Sequence, residues 1–388
     1  MADQLAGESS TGILDLPPEL MEEVATYLPA ANLLSLRATC KDIGNKVFRV
    51  YCDKCFADRT FLLTWPRSME ILERLSAHPQ FCKAVNIVRL SFQQIVHTRV
   101  DHQRRLTQMM PTPNSGIPNR NDRIQVREMR KLHDKLLKRQ KEYRDSGEWQ
   151  KCLARSLEQF QRRDCALTVE IFGTPHALAP SPSGKRSLER VLGYEDVLEC
   201  VPPIGSVHDV KAIETVLRSR CQLVGLSLPD FFTRLQRKPL DVLIHMVANM
   251  AFAPMESIVR LNLFLSYPST ADHADMLALV LNALPRLKHL RLRSSPTWQA
   301  PQMDALHHIT TQAFLTVLET LEISMSLVTR QSLINFIEKH NKTLQQVTVL
   351  GQPWDPISDP TYGRIMAQIK GHHAAFSVVD VKSREPFI

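Results

Sequence analysis

At 388 residues, with 44% hydrophobic and 23% charged side chains, the chain has the length of one large or two to three ordinary domains and the balance of a globular protein. No run approaches 18 consecutive apolar residues and the first eleven are polar and acidic, so neither a membrane span nor a secretory signal is expected, and the expected location is cytoplasmic or nuclear. The formal charge of +8 by itself suggests nucleic acid or an acidic membrane as partner, yet the stretch 99–164 holds 17 Lys and Arg against 9 Asp and Glu, and the remainder carries 31 of each. Basicity belongs to one segment. Eight cysteines lie between Cys40 and Cys221, with none in the last 167 residues. They make no short-spaced disulfide framework, so reduced thiols are expected.

In chain order, residues 1–12 are polar and expected to be disordered. Residues 13–48 read as a short helical module: Asp15, Leu16, Pro17, Pro18 and Glu19 combine a potential cap, first-turn prolines and an early carboxylate. Leu20, Val24 and Leu28 follow at i, i+4 and i+8 before Pro29, and Leu33, Leu34, Leu36 and Cys40 come after a second potential cap at Asn32. Three dozen residues this rich in leucine cannot enclose a core of their own, so something else is expected to cover them.

Residues 49–98 form a connection ending in a first strand, around Val85, Val88 and Leu90. The segment 99–164 opens on a turn-rich run from Pro111 to Pro118. It then predicts two helices, the first with Met129, Leu132, Leu136, Leu137 and Tyr143 on one face, the second with Trp149, Cys152, Leu153, Leu157 and Phe160 as one stripe. A turn at Asp145-Ser146-Gly147 makes them a basic helical hairpin insert.

Across 165–388 an apolar triplet of the form L-x-x-L-x-L recurs: Leu223, Leu226, Leu228; Ile258, Leu261, Leu263; Leu287, Leu290, Leu292; Leu318, Leu321, Ile323; Leu344, Val347, Val349; and Phe376, Val379, Val381. The steps between middle residues are 35, 29, 31, 26 and 32. Alternation of the last two positions predicts a strand, and helical runs such as Met276 to Leu284 and Leu333 to Ile337 lie between. One strand and one helix per unit, with units stacked to bury their apolar faces, is a solenoid. A weaker triplet stands at Ala166, Val169, Ile171. The alternative is an ordinary α/β domain with a parallel sheet.

These units resemble leucine-rich repeats of the long, irregular type. They depart from that family where an Asn or Cys usually stands, at Phe231, Ser266, Ser295, Ser326 and Gln352. The run from Leu14 to Ile43 resembles the F-box, a three-helix motif that docks on the Skp-family adaptor of cullin-RING ubiquitin ligases. The resemblance carries the L-P pair to Leu16 and Pro17, first-helix contacts to Leu20, Val24 and Leu28, and second-helix contacts to Leu33 and Leu36. The usual V-C pair is Thr39-Cys40 here. Arg59-Thr-Phe-Leu-Leu63, Leu75-Ser-Ala-His-Pro79, Ser146-Gly147 and Gly184 to Glu189 are similar to fungal F-box proteins. The expected fold is therefore α/β: an N-terminal helical F-box followed by an irregular leucine-rich-repeat-like solenoid with a helical hairpin insert.

No catalytic arrangement stands out, so no enzyme activity and no cofactor is expected. Cys52-x-x-Cys55 with His78 and Cys82 has the elements of a zinc site but lacks the second pair as a knuckle or helical His pair, and no metal is expected. Gly184-Lys185-Arg186-Ser187 lacks the upstream glycine and strand of a phosphate loop. His307-His308 and His372-His373 lack partners at ligand spacing. As the resemblance implies, the chain is read as a substrate-recognition subunit of an SCF-type (Skp-cullin-F-box) ubiquitin ligase. Adaptor contacts are expected at Leu16, Pro17, Leu20, Val24, Leu28, Leu33, Leu36 and Cys40. Residues between inward-facing leucines, Ser227, Asn262, Arg291, Glu322 and Thr348, with Arg293 and Ser324 beside them, are expected to face a protein target. The rival is a nucleic-acid-associated or scaffold protein using the basic hairpin 120–163; interleaved Glu128, Asp134 and Glu142 favour a solvated face there, and nucleic acid is not the expected partner.

Overall fold

Paired prolines open the first helix, as their missing N–H and fixed φ suit a first turn. Pro17 precedes α1 (Pro18–Tyr27), and Pro29 precedes α2 (Ala30–Arg37); α3 (Lys41–Lys46) and α4 (Phe48–Phe56) complete an amino-terminal module. The computed structural model describes residues 12–92, 94–95, 120–172, 198–199, 207–228, 253–265, 271–294, 304–324, 327–351 and 375–380. Residues 1–11 and the atypical repeat positions Phe231, Ser266, Ser295, Ser326 and Gln352 lie outside these, as do Gly184 to Glu189 and His372-His373.

The module has a small core of its own, in contrast to the expectation that all its leucines need outside cover: Met21, Ala25, Leu33, Ile43, Val47 and Val50 are buried together, with Leu16, Leu28, Leu36 and Tyr51 packed against them. Two lysines close its open backbone ends. Lys54 Nζ donates to the carbonyls of Ala25, Thr26 and Leu28 at the end of α1, and Lys46 Nζ to those of Leu14 and Leu16. A cation at a helix C-terminus meets both orphan carbonyls and the negative end of the dipole.

Next come β1 (Asp58–Leu62), α5 (Pro66–Ala77), α6 (Phe81–Ala84), β2 (Ile87–Ser91) and β3 (Gln94–Ile95). They are followed by α7 (Arg120–Ser146), α8 (Glu148–Arg162), β4 (Ala166–Phe172), β5 (Leu198–Glu199), α9 (Val207–Arg218), β6 (Gln222–Leu228), α10 (Ala253–Glu256) and β7 (Arg260–Leu265). The remainder is α11 (Ala271–Asn282), β8 (His289–Ser294), α12 (Ala305–Gln312), β9 (Thr320–Ser324), α13 (Arg330–Lys339), β10 (Gln346–Gly351) and β11 (Ala375–Asp380). Nine strands pair in parallel in the order β1-β2-β4-β6-β7-β8-β9-β10-β11. The order follows the chain without a reversal, which distinguishes it from a doubly wound sheet. The short β3 and β5 pair antiparallel apart from it.

One face of the sheet is apolar, and its register shows why leucine recurs. Val88, Val169, Leu226, Leu261, Leu290, Leu321 and Val347 form one row, each paired with the next. All are buried in a single core with the helices, from Phe61 to Val349. Burial at this scale, roughly 25 cal/mol per Å² of apolar surface, is the main term holding the sheet body together.

Three expectations change. The sheet begins one strand earlier than the first triplet, at β1, where Arg59 occupies the position that Val88 holds on β2. An edge strand tolerates this, and the Arg59 guanidinium lies over the Phe56 ring. The hairpin insert is half an insert: Trp149, Cys152, Leu153, Leu157 and Phe160 of α8 are buried in the main core, so α8 belongs to the helix layer and only α7 is additional. The turn joining them is Gly147, at φ +71, a conformation that favours glycine. On the last strand, Phe376 and Val378 pair with Val347 and Val349, while Val379 pairs with Leu350 of the opposite row. The expected triplet, with Val379 in the middle, is three residues out of step with this register, and an odd slip exchanges the two faces; Val381 lies outside the described residues.

An aromatic joint links module and sheet body. The Phe81 ring lies 5.7 Å from Phe48, 4.6 Å from Phe56 and 4.0 Å from His78, and Arg37 covers Phe48 and Tyr51.

Candidate functional site

On α1 the apolar residues divide between two adjoining faces. Met21 and Ala25 point into the module, whereas Leu20, Val24 and Tyr27, at i, i+4 and i+7, form an outward stripe, with Leu20 48% and Tyr27 81% exposed. Ile13 and Leu14 before α1 and Leu34 on α2 are also about half exposed. Six large apolar side chains displayed by one small module are more than scattered surface hydrophobes and mark a protein contact. Lys46 helps to set this surface, because its bonds to the Leu14 and Leu16 carbonyls fix the segment ahead of α1.

The expected adaptor contacts separate by exposure. Pro17, Leu20, Val24 and Cys40 are exposed, and Leu16, Leu28 and Leu36 are half-buried. Leu33 is a correction: it is 0% exposed at the centre of the module core, where no partner reaches it. Ile13, Leu14, Tyr27 and Leu34 join the exposed set; Tyr27 could have been found from the helical period running through Leu20 and Val24.

The family model described as the F-box domain matches residues 13–52. The chain carries an F-box domain. F-box domains bind Skp-family adaptors of SCF ubiquitin ligases, and the apolar stripe on α1 lies within the matched residues. A comparison with curated proteins finds no match to this chain.

The second candidate surface is the polar face of the sheet. Thr60, Arg89, Glu170, Ser227, Asn262, Arg291, Glu322, Thr348 and Ser377 run across it in one continuous register. Five of the expected target contacts, Ser227, Asn262, Arg291, Glu322 and Thr348, therefore share a row, with Arg293 two residues beyond Arg291. Ser324 lies next to it but is buried, which takes it out of reach as a contact. Within the row, Asn262 Nδ2 donates to Ser227 Oγ at 3.0 Å, and Arg291 pairs with Glu322.

The face differs between its first end and its middle. At the first end Arg89, its side chain 16% exposed, donates to Asp58 and, at 2.6 Å, to Glu170. Burial raises the Asp58 carboxyl above its ordinary range, against the opposing pull of Arg89. Thr60 and Ser91 are fully buried there, and α7 reaches this end, Gln140 donating to Thr64 Oγ1 at 2.8 Å. At β7–β8 the face is open: Arg260 is exposed and the Arg291 side chain is 40% exposed. Gly225 makes room between Thr168 and Arg260, its partners on β4 and β7, since a Cβ there would sit 2.8 Å from Thr168 Cγ2; through the gap Arg260 reaches Thr168 Oγ1 at 2.9 Å.

Elsewhere the chemistry is quiet. Burial pushes the Cys52 thiol up to about 11 and also raises Cys55, which works against metal or thiolate chemistry. His78 Nδ1 instead accepts from the N–H groups of Gln80 and Phe81. Among the described residues no three His, Cys, Asp or Glu side chains are grouped to hold a metal ion, and no helix is long and apolar enough to cross a membrane. The basic surface has contracted to α7. On α8, Lys151, Arg155 and Arg162 pair with Glu148, Glu73 and Glu158, whereas Lys131, Lys135, Arg139 and Lys141 on α7 are simply exposed.

Proposed function

We propose that this chain is a target-recognition subunit of an SCF-type ubiquitin ligase, acting in the cytoplasm or nucleus. The observation that carries the reading is the outward stripe of Leu20, Val24 and Tyr27 on a module that already has a core of its own around Met21, Ala25 and Leu33. The stripe docks on the adaptor, and the adaptor joins the chain to a cullin scaffold. The polar face of the sheet takes the target. The units that build the sheet are irregular leucine-rich repeats, a reading supported by their in-order parallel strands and recurrent leucines, and the F-box protein is of fungal type, on segments such as Arg59 to Leu63 and Leu75 to Pro79. The chain carries out no bond chemistry; it raises the local concentration of a target lysine near the conjugating enzyme. The aromatic joint at Phe81 keeps the two surfaces in a fixed relation, which that proximity requires.

The test is co-expression with a Skp-family adaptor. Wild type should capture it, and Leu20→Asp/Val24→Asp should not, while both keep the same thermal unfolding of the sheet body. Equal capture by both, or capture by neither, overturns the reading.

A further inference from the structure

Two arginines on the polar face share one carboxylate. The Nε of Arg291 and the Nε and Nη2 of Arg293 all donate to the same oxygen of Glu322, the Arg293 bonds at 3.3 and 3.2 Å. One carboxylate neutralises one guanidinium, so among the described residues the trio keeps a positive charge. On the preceding strand, exposed Arg260 has a neutral partner, the Thr168 hydroxyl. Next to them lie uncharged Asn262 and Ser227, bonded to each other. The same face supplies its own reference: Arg89 is held between two carboxylates, Asp58 and Glu170, with its side chain largely buried. A satisfied arginine in this sheet looks like Arg89; Arg260, Arg291 and Arg293 do not.

We propose that the β7–β9 part of the face binds an acidic segment of the target, anchored by Arg260, Arg291 and Arg293. The proposal rests on the reading of the polar face as the target surface and names the chemistry of what it takes. Adjacent strands lie about 4.8 Å apart, so β7 to β9 spans about 10 Å, the length of about three extended residues. Guanidinium groups match carboxylate or phosphoryl oxygens with paired hydrogen bonds. We take the anion to be a cluster of acidic side chains on one short segment, because three guanidiniums on separate residues of β7 and β8 match several spaced carboxylates better than one compact phosphoryl group. A nucleic acid needs a longer track of cations along its phosphates, and here Glu322 and, towards the other end, Glu170 and Asp58 interrupt any such track.

The experiment uses the full chain and three fluorescein-labelled twelve-residue peptides in a Gly-Ser background, carrying four glutamates, two phosphoserines or four lysines. Binding is read by fluorescence anisotropy over a range of salt. The glutamate peptide should bind, with affinity falling steeply as salt rises, and the lysine peptide should not; tighter binding of the phosphoserine peptide than of the glutamate peptide overturns the assignment to carboxylates. Arg291→Ala/Arg293→Ala should weaken binding about tenfold or more, the scale of one lost charge-assisted pair. Glu322→Gln should strengthen it severalfold, because it removes the internal competitor for both guanidiniums; a purely structural role for Glu322 predicts weakening. Lys135→Ala/Lys138→Ala on α7 should change nothing. Adaptor capture by each variant verifies folding and separates the two claims: failure of acidic binding with capture intact overturns this proposal alone. Equal binding of the lysine peptide, unchanged affinity in the double arginine variant, weaker binding in Glu322→Gln, or tighter binding of a single-stranded oligonucleotide than of either acidic peptide also overturns it.

Discussion

His340, at the end of α13, ties the stability of the sheet body to pH. Its ring is 6% exposed, lies 4.4 Å from the Phe336 ring and bonds the Leu315 backbone, while its Nε2 is buried without a partner. A proton on that nitrogen would be a charge with no acceptor. Burial, helped by neighbouring Lys339, therefore lowers the pKa from 6.5 to about 4. Between these values the unfolded chain holds a proton that the folded chain refuses, so stability rises with pH across that window: it is complete above 6.5 and lost as the pH falls to about 4. At about 1.4 kcal/mol per pH unit the full loss is about 3 kcal/mol, of which about 2 kcal/mol falls between pH 7 and pH 4.5. Urea unfolding of wild type and His340→Gln at both pH values reads it directly. The glutamine does not titrate, so wild type should lose about 2 kcal/mol more than the variant on acidification. Parallel losses would refute the reasoning.

Three further outcomes follow from burial and close contact. Leu33→Ala should destabilise the F-box module by about 3 kcal/mol, whereas Leu20→Ala should cost under about 1 kcal/mol and weaken adaptor binding instead; calorimetry and adaptor titration on both variants separate the roles. Gly225→Ala should lower the unfolding midpoint by the equivalent of about 1–3 kcal/mol, since its methyl group meets Thr168 at 2.8 Å, and an unchanged midpoint would contradict the close approach. Lys54→Met strips the end of α1 of its cation and should cost about 1 kcal/mol, seen as faster amide exchange at Leu28, whose N–H bonds the Ala25 carbonyl.

The recurring leucines made the strands legible because each inward row repeats the same two buried positions, and the outward residues Ser227, Asn262, Arg291, Glu322 and Thr348 followed from alternation alone. β1 was not legible, for its inward row holds Arg59 where the pattern requires an aliphatic residue. The stripe on α8 was visible, but periodicity does not say what covers a stripe, and so a helix of the main layer read as part of an insert. In the F-box, leucine content marked the contact region without separating Leu33, which the module buries, from Leu20, which it displays; that division depends on how α2 packs against α3 and α4. The pairing of Arg291 and Arg293 on one carboxylate was likewise out of reach, because it joins residues 29 and 31 positions apart across two strands.

The central claim is that one chain presents two separate surfaces, an apolar one for the adaptor and a polar one for a target. Hydrogen exchange of the full chain, free and saturated with a Skp-family adaptor, tests it most directly. The account predicts new protection confined to residues 13–52, with amides of β7, β8 and β9 unchanged. Protection on those strands, or none within 13–52, would contradict it.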